Sequence, residues 1–91
     1  MSDVPDDPRA RFEYFSNEYA QALQAYTAIE TQASTLLLMG YTDEFRQFID
    51  QFLAMATRVG ALAAENGEQN FADWFGELVQ KAEGLREAAR K

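Results

Sequence analysis

The 91-residue chain contains neither cysteine nor histidine. Without cysteine it can form no disulfide, no thiolate nucleophile and no zinc-thiolate site. Without histidine it lacks the side chain that most often serves as a general base and as a transition-metal ligand. We therefore expect a protein that is not an enzyme, with no catalytic residue, no metal site and no cofactor.

Basic residues are also scarce, with eight Lys and Arg against fifteen Asp and Glu, a net charge of -7, and no basic residue between Phe12 and Phe45. Nucleic acids and anionic membrane surfaces are bound through clustered positive charge, so we expect neither as a partner. The uncharged run from Thr31 to Thr42 has twelve residues, whereas a membrane span needs about 20. The first residues lack the basic and apolar segments of a secretory signal, which favours the cytoplasm.

Capping residues divide the chain into three predicted helices, at about 8–39, 43–65 and 70–90. Asp7 followed by Pro8 is typical of a helix start, and Gly40 is typical of a helix end. Thr42 and Asn70 are expected to cap the second and third helices. The pair Asn66-Gly67 is expected to end the second.

Apolar residues recur at spacings of three and four in all three segments, which indicates an amphipathic stripe on each helix. The stripes as predicted include Phe12, Leu23, Phe48 and Trp74. Short turns between long helices favour antiparallel neighbours, so the predicted fold class is all-α. We expect an up-down-up three-helix bundle with a long first helix, a candidate for dimerisation. Residues 1–7 are predicted to be a flexible acidic tail, and residues 8–91 a single domain.

Aromatic residues are predicted to gather at one end of the bundle, because the starts of the first and third helices lie side by side in that topology. Phe12, Phe15 and Tyr19 should then meet aromatic residues of the third helix. A small-molecule pocket there would be formed by Phe12, Phe15, Phe71, Trp74 and Phe75. Ordinary core packing also accounts for such a cluster, since large aromatics dominate small cores. In the third helix, Gly76 and Gly84 are candidates for close helix approach.

The first helix carries almost no charge, because Glu30 is the only charged residue from Tyr19 to Met39. Away from its apolar stripe stand small or neutral polar residues, which are inexpensive to desolvate, and depletion of charge is typical of interface cores. Good helix formers on an ordinary exposed surface explain the pattern equally simply. The candidate partner-binding face consists of Ala20, Gln21, Gln24, Ala25, Thr27, Ala28, Thr31, Gln32 and Thr35.

These features favour a small acidic protein-interaction module: a regulator, an adaptor or an inhibitor of the antitoxin or immunity type. The expected partner is a second copy of the chain, a larger protein with a basic surface, or both. One alternative is a bundle that binds a small molecule in the aromatic cluster. Another is a weak nucleic-acid mimic that inhibits a nucleic-acid-binding protein.

Overall fold

The computed structural model of the protein describes residues 4–90, and of Arg90 only the backbone. This part of the chain forms three α-helices and contains no strand: α1 is Pro8–Leu38, α2 is Thr42–Glu65 and α3 is Gln69–Arg90. Each helix packs against the other two. The all-α, three-helix prediction is confirmed, and every helix boundary lies within one residue of its expected position. Residues 1–3 of the predicted tail and Lys91 lie outside the described residues.

The chain contacts the bundle before its first helix begins, because Val4 is buried against the core. Helix α1 then starts as predicted: the backbone N–H of Ala10 donates to Asp7 Oδ2 at 3.1 Å. Pro8 occupies the first turn, where its missing N–H leaves no helical hydrogen bond unmade.

Glycines in the left-handed conformation end α1 and α2, as predicted. Gly40 has φ +83°, and Gly67 has φ +79°. After α1, the N–H of Tyr41 donates to the carbonyl of Leu36 at 2.8 Å. After α2, the N–H of Glu68 donates to Ala63 at 2.8 Å. Both pairings span five residues, which is the Schellman arrangement and requires a positive φ at the glycine.

The predicted caps of α2 and α3 are wrong, because each lies inside its helix: Thr42 is the first residue of α2 and Asn70 is the second residue of α3. The capping position of α2 belongs to Tyr41, whose side chain makes no capping hydrogen bond. Asn70 lies inside α3, because the N–H of Ala72 already donates to the carbonyl of Glu68. The α2 to α3 turn, residues 66–68, is therefore two residues shorter than the turn that a cap at Asn70 would give.

The core is built from the apolar stripes, but it is narrower than the sequence pattern predicted. Phe12 and Trp74 remain 56% and 43% exposed, and Phe48 and Leu23 are also exposed, so their assignment to the interior is wrong. Each lies at the edge of its stripe, where no third helix covers it. The fully or nearly buried core is Val4, Phe15, Ala22, Tyr26, Phe45, Ile49, Phe52, Ala56, Val59, Ala63, Phe71, Phe75, Leu78, Ala82 and Ala89.

The closest glycine-mediated approach joins α2 to α3 at Gly60. A Cβ built on Gly60 would stand 3.1 Å from the Cβ of Phe75. A Cβ on Gly76 or Gly84 would meet no atom within 4 Å. The expectation that Gly76 and Gly84 permit helix approach is therefore wrong, and a glycine of α2 does so instead.

The molecule is elongated, with extents of 47 × 22 × 17 Å and a radius of gyration of 14.6 Å. A compact chain of this length would have a radius of gyration of about 12 Å. Helix α1, at about 1.5 Å of rise per residue, is long enough to span the whole long axis. Much of its length therefore has solvent on one side.

Candidate protein-docking surface

The uncharged face predicted on α1 lies on the surface of the molecule. Eight of its nine residues are exposed, and Ala25 is half-buried. The buried residues of α1 are Phe15, Ala22 and Tyr26, and they lie on the opposite side of the helix. The face is therefore available to a partner.

The one charged side chain of this stretch, Glu30, is held on the flank of the helix. The hydroxyl of Tyr26 donates a hydrogen bond to Glu30 Oε2 at 3.2 Å. Burial raises the pKa of Tyr26 above its ordinary value of 10.0, and the hydrogen bond to Glu30 and the charge of that carboxylate raise it further. Since Tyr26 belongs to the core, this pairing orients Glu30 away from the uncharged face.

A groove that the sequence did not predict adjoins this face. We call it the α1–α2 groove, and its volume is about 390 Å³. The α1 wall is made by Ala25, Ala28, Ile29, Gln32 and Leu36. The α2 wall is made by Phe45, Phe48, Gln51, Phe52 and Met55. No residue of either wall carries a charge.

Three residues belong to both the uncharged face and the α1–α2 groove, namely Ala25, Ala28 and Gln32. The face and the groove therefore form one continuous neutral surface that extends from α1 onto α2. The sequence held a signal for it: Phe48, Gln51 and Met55 recur at helical spacing on α2 without a charge among them. Because Phe48 was assigned to the core, that signal was missed.

A shallower hollow lies on α1 alone and has a volume of about 550 Å³. Its lining consists of Ala20, Leu23, Gln24, Thr27 and Ala28. Four of these residues were predicted to be part of the partner-binding face. Thr27 turns its hydroxyl back to the carbonyl of Leu23 at 2.9 Å, which satisfies this polar group within the helix.

The predicted aromatic cluster is assembled by α1 and α3. The ring centroids of Phe12 and Phe71 lie 5.3 Å apart, and those of Phe15 and Phe71 lie 6.1 Å apart. The ring centroid of Tyr19 lies 5.6 Å from that of Trp74 and 5.5 Å from that of Phe75. The expected meeting of these rings is confirmed. Because the rings pack against one another, their arrangement is typical of a core.

Charged side chains pair away from the neutral surface. Arg11 of α1 lies 3.6 Å from Glu68 in the turn between α2 and α3. Arg86 of α3 lies 3.2 Å from Asp50 of α2. In residues 4–90 no group of three or more acidic side chains could hold a metal ion.

Comparisons of the chain with protein-family models, curated proteins and solved structures gave no match. Among the helices of residues 4–90, none combines the length and the apolar character that crossing a membrane requires.

Proposed function

We propose that this protein is a non-enzymatic interaction module that acts in the cytoplasm as a regulator, an adaptor or an inhibitor of the antitoxin or immunity type. It docks onto its partner through the uncharged face of α1, and its helices run up, down and up. The partner is a second copy of the chain, a larger protein with a basic surface, or both. The observation that supports this most strongly is the exposure of a neutral face along the longest helix of an acidic protein.

Desolvation favours this face as a contact surface. A charged group that loses its water on binding costs free energy unless it is paired, and interface cores are depleted in charge for this reason. Ala20, Ala25 and Ala28 have small side chains, so another helix can approach closely. The threonine and glutamine side chains between them supply polar groups at little electrostatic cost.

The rest of the surface contributes long-range attraction to a basic partner. The chain has a net charge of -7. None of the carboxylates in the described residues belongs to the uncharged face, and Glu30 lies on its flank. A basic protein would be attracted from a distance and would then bury the neutral face. This attraction would weaken as salt is added, whereas burial of the face would not.

The test uses two substitutions of the same kind on two different helices. Gln24→Arg places a cation in the uncharged face, and Gln80→Arg places the same cation at an exposed position of α3. Because a cation disfavours both an apolar copy and a basic partner, Gln24→Arg should weaken association at least tenfold. Gln80→Arg should bind as the wild type does, and far-ultraviolet circular dichroism should show equal helicity for both.

The association itself is measured by size-exclusion chromatography with light scattering, and by affinity capture from the native host. The proposal is refuted if the two variants associate equally well. It is also refuted if the wild-type chain is monomeric at high micromolar concentration and captures no protein.

The aromatic cluster supports the small-molecule alternative less well. Phe15, Phe71 and Phe75 are buried within it, and only the edges formed by Phe12 and Trp74 are exposed. A nucleic-acid mimic would need regular rows of carboxylates, which α1 lacks. Titration of Trp74 fluorescence with candidate ligands tests the first of these alternatives.

A further inference from the structure

We propose that a second copy of this chain binds at the α1–α2 groove, so that two copies pack groove to groove about a two-fold axis. This inference rests on one part of the proposed function, the association with a second copy, and specifies which surface makes that contact. It places the centre of the interface at the junction of α1 and α2 and not on the uncharged face of α1.

The walls of the groove are suited to receiving a helix. Ala25 and Ala28 keep the α1 wall low, and Phe48 and Met55 make the α2 wall high. A helix laid along the groove would approach α1 closely and would contact the large side chains of α2. This is how an amphipathic helix docks into an apolar groove.

The lack of charge in the groove permits a second copy as the occupant. The chain carries -7, so two copies repel each other across most orientations. At the groove both copies present neutral walls, and there they meet without like-charge repulsion. A basic partner would gain no ion pair from the groove, since none of the residues that line it carries a carboxylate.

The amount of exposed surface agrees with a missing subunit. The chain exposes 6146 Å², which is about 800 Å² more than the ~5,400 Å² expected of a compact monomer of 10.3 kDa. A stable interface of standard size buries about 800 Å² on each partner. A dimer would thus cover about as much surface as the elongated monomer exposes in excess.

Each copy also carries the apolar side chains that would fill the groove of the other. Phe48 stands on the rim of the groove and is 51% exposed. At the end of α1, Leu38 is 89% exposed, and Met39 and Tyr41 are exposed beside it. In a two-fold arrangement the same patch faces itself, so Phe48 enters the partner's groove while the partner's Phe48 enters this one.

The experiment compares two exposed phenylalanines. Phe48→Glu places a carboxylate on the groove, and Phe12→Glu makes the same change at a residue of similar exposure on the α1–α3 side. Sedimentation velocity over a range of concentrations gives the dimer dissociation constant. We expect Phe48→Glu to raise it at least tenfold and Phe12→Glu to leave it unchanged.

A second variant of the same wall covers the case in which Phe48→Glu does not fold. Gln51→Arg replaces an exposed polar residue, removes no apolar contact, and should raise the dissociation constant in the same way. If the dimer tolerates both Phe48→Glu and Gln51→Arg, the groove is not the interface and the inference is overturned. A wild-type chain that remains monomeric overturns it as well.

The two proposals fail in different ways. If the dimer is lost with Gln24→Arg and kept with the groove variants, this inference is overturned and docking through the uncharged face of α1 is supported. If the dimer is lost with the groove variants and kept with Gln24→Arg, this inference is supported and docking through the uncharged face is overturned. A monomeric wild type that captures a host protein in a Gln24-dependent way supports the proposed function alone.

Discussion

Replacing Gly60 by alanine tests the close packing of α2 against α3. In an exposed helix the change from glycine to alanine stabilises by about 1 kcal/mol. At Gly60, however, the new methyl group would stand 3.1 Å from the Cβ of Phe75, whereas two carbon atoms pack best at about 3.5–4.0 Å. The gain in helix propensity is thus opposed by a steric clash.

The clash is difficult to relieve, because the Cβ of Phe75 moves only with the backbone of α3. Its ring is also buried and packs edge-on against Tyr19, with the centroids 5.5 Å apart. Overpacking of this kind costs about 1–3 kcal/mol. We therefore expect Gly60→Ala to change the free energy of unfolding by a net loss of between about 0 and 2 kcal/mol.

The control is Gly76→Ala, because a Cβ at Gly76 meets no atom within 4 Å. It should raise the free energy of unfolding by about 0.5–1 kcal/mol. Urea denaturation followed by circular dichroism measures the free energy of unfolding of both variants. In a thermal denaturation, each kcal/mol should shift the midpoint by roughly 4–8 °C in a domain of this size. If Gly60→Ala stabilises as much as Gly76→Ala, the helices do not approach as closely as described.

Three further predictions concern the core and the charged pairs. Glu30→Gln should lower the pKa of Tyr26 in a spectrophotometric titration, and a pKa that rises or stays constant would contradict their hydrogen bond. Since the fold raises that pKa above 10.0, the wild type should lose stability as pH rises through the folded value, and Glu30→Gln should lose less. Phe15→Ala should cost about 3–5 kcal/mol in urea denaturation, and a loss below 1 kcal/mol would contradict its complete burial. Arg86→Gln should cost at most about 1 kcal/mol, because its ion pair is exposed, and a larger loss would indicate that the pair is buried.

The helix ends were predictable wherever a single residue type satisfies a local requirement. Asp7 and Pro8 begin α1 as expected, and Gly40 and Gly67 supply the positive φ that ends α1 and α2. Asn70 failed as a cap because the backbone before it already closed the first turn of α3. The sequence predicts the local hydrogen bonds at a helix end, but it does not predict which of several neighbouring residues takes the capping position.

The boundary between core and surface was less predictable. A period of three and four marks an apolar stripe, but it does not tell how much of the stripe two neighbouring helices cover. Phe48 and Trp74 match the period and remain exposed, whereas Ala63 and Ala89, which continue the same period beyond the predicted stripes, are buried. The uncharged face of α1 was predictable from charge alone. The uncharged α2 wall of the α1–α2 groove was also present in the sequence pattern, but the groove itself was not predictable, because its two walls come from segments whose relative position no periodicity fixes.

The buried residues of α1 are distributed unevenly along the helix. They all precede Ile29, and the ring contacts with α3 involve Phe12, Phe15 and Tyr19. The last three turns of α1 therefore have fewer buried contacts to hold them, and such segments open locally at a lower free energy than the rest of a domain. Their amide hydrogens should exchange first in the isolated chain. If the groove binds a second copy, their protection should rise with protein concentration, while that of the aromatic end should change less.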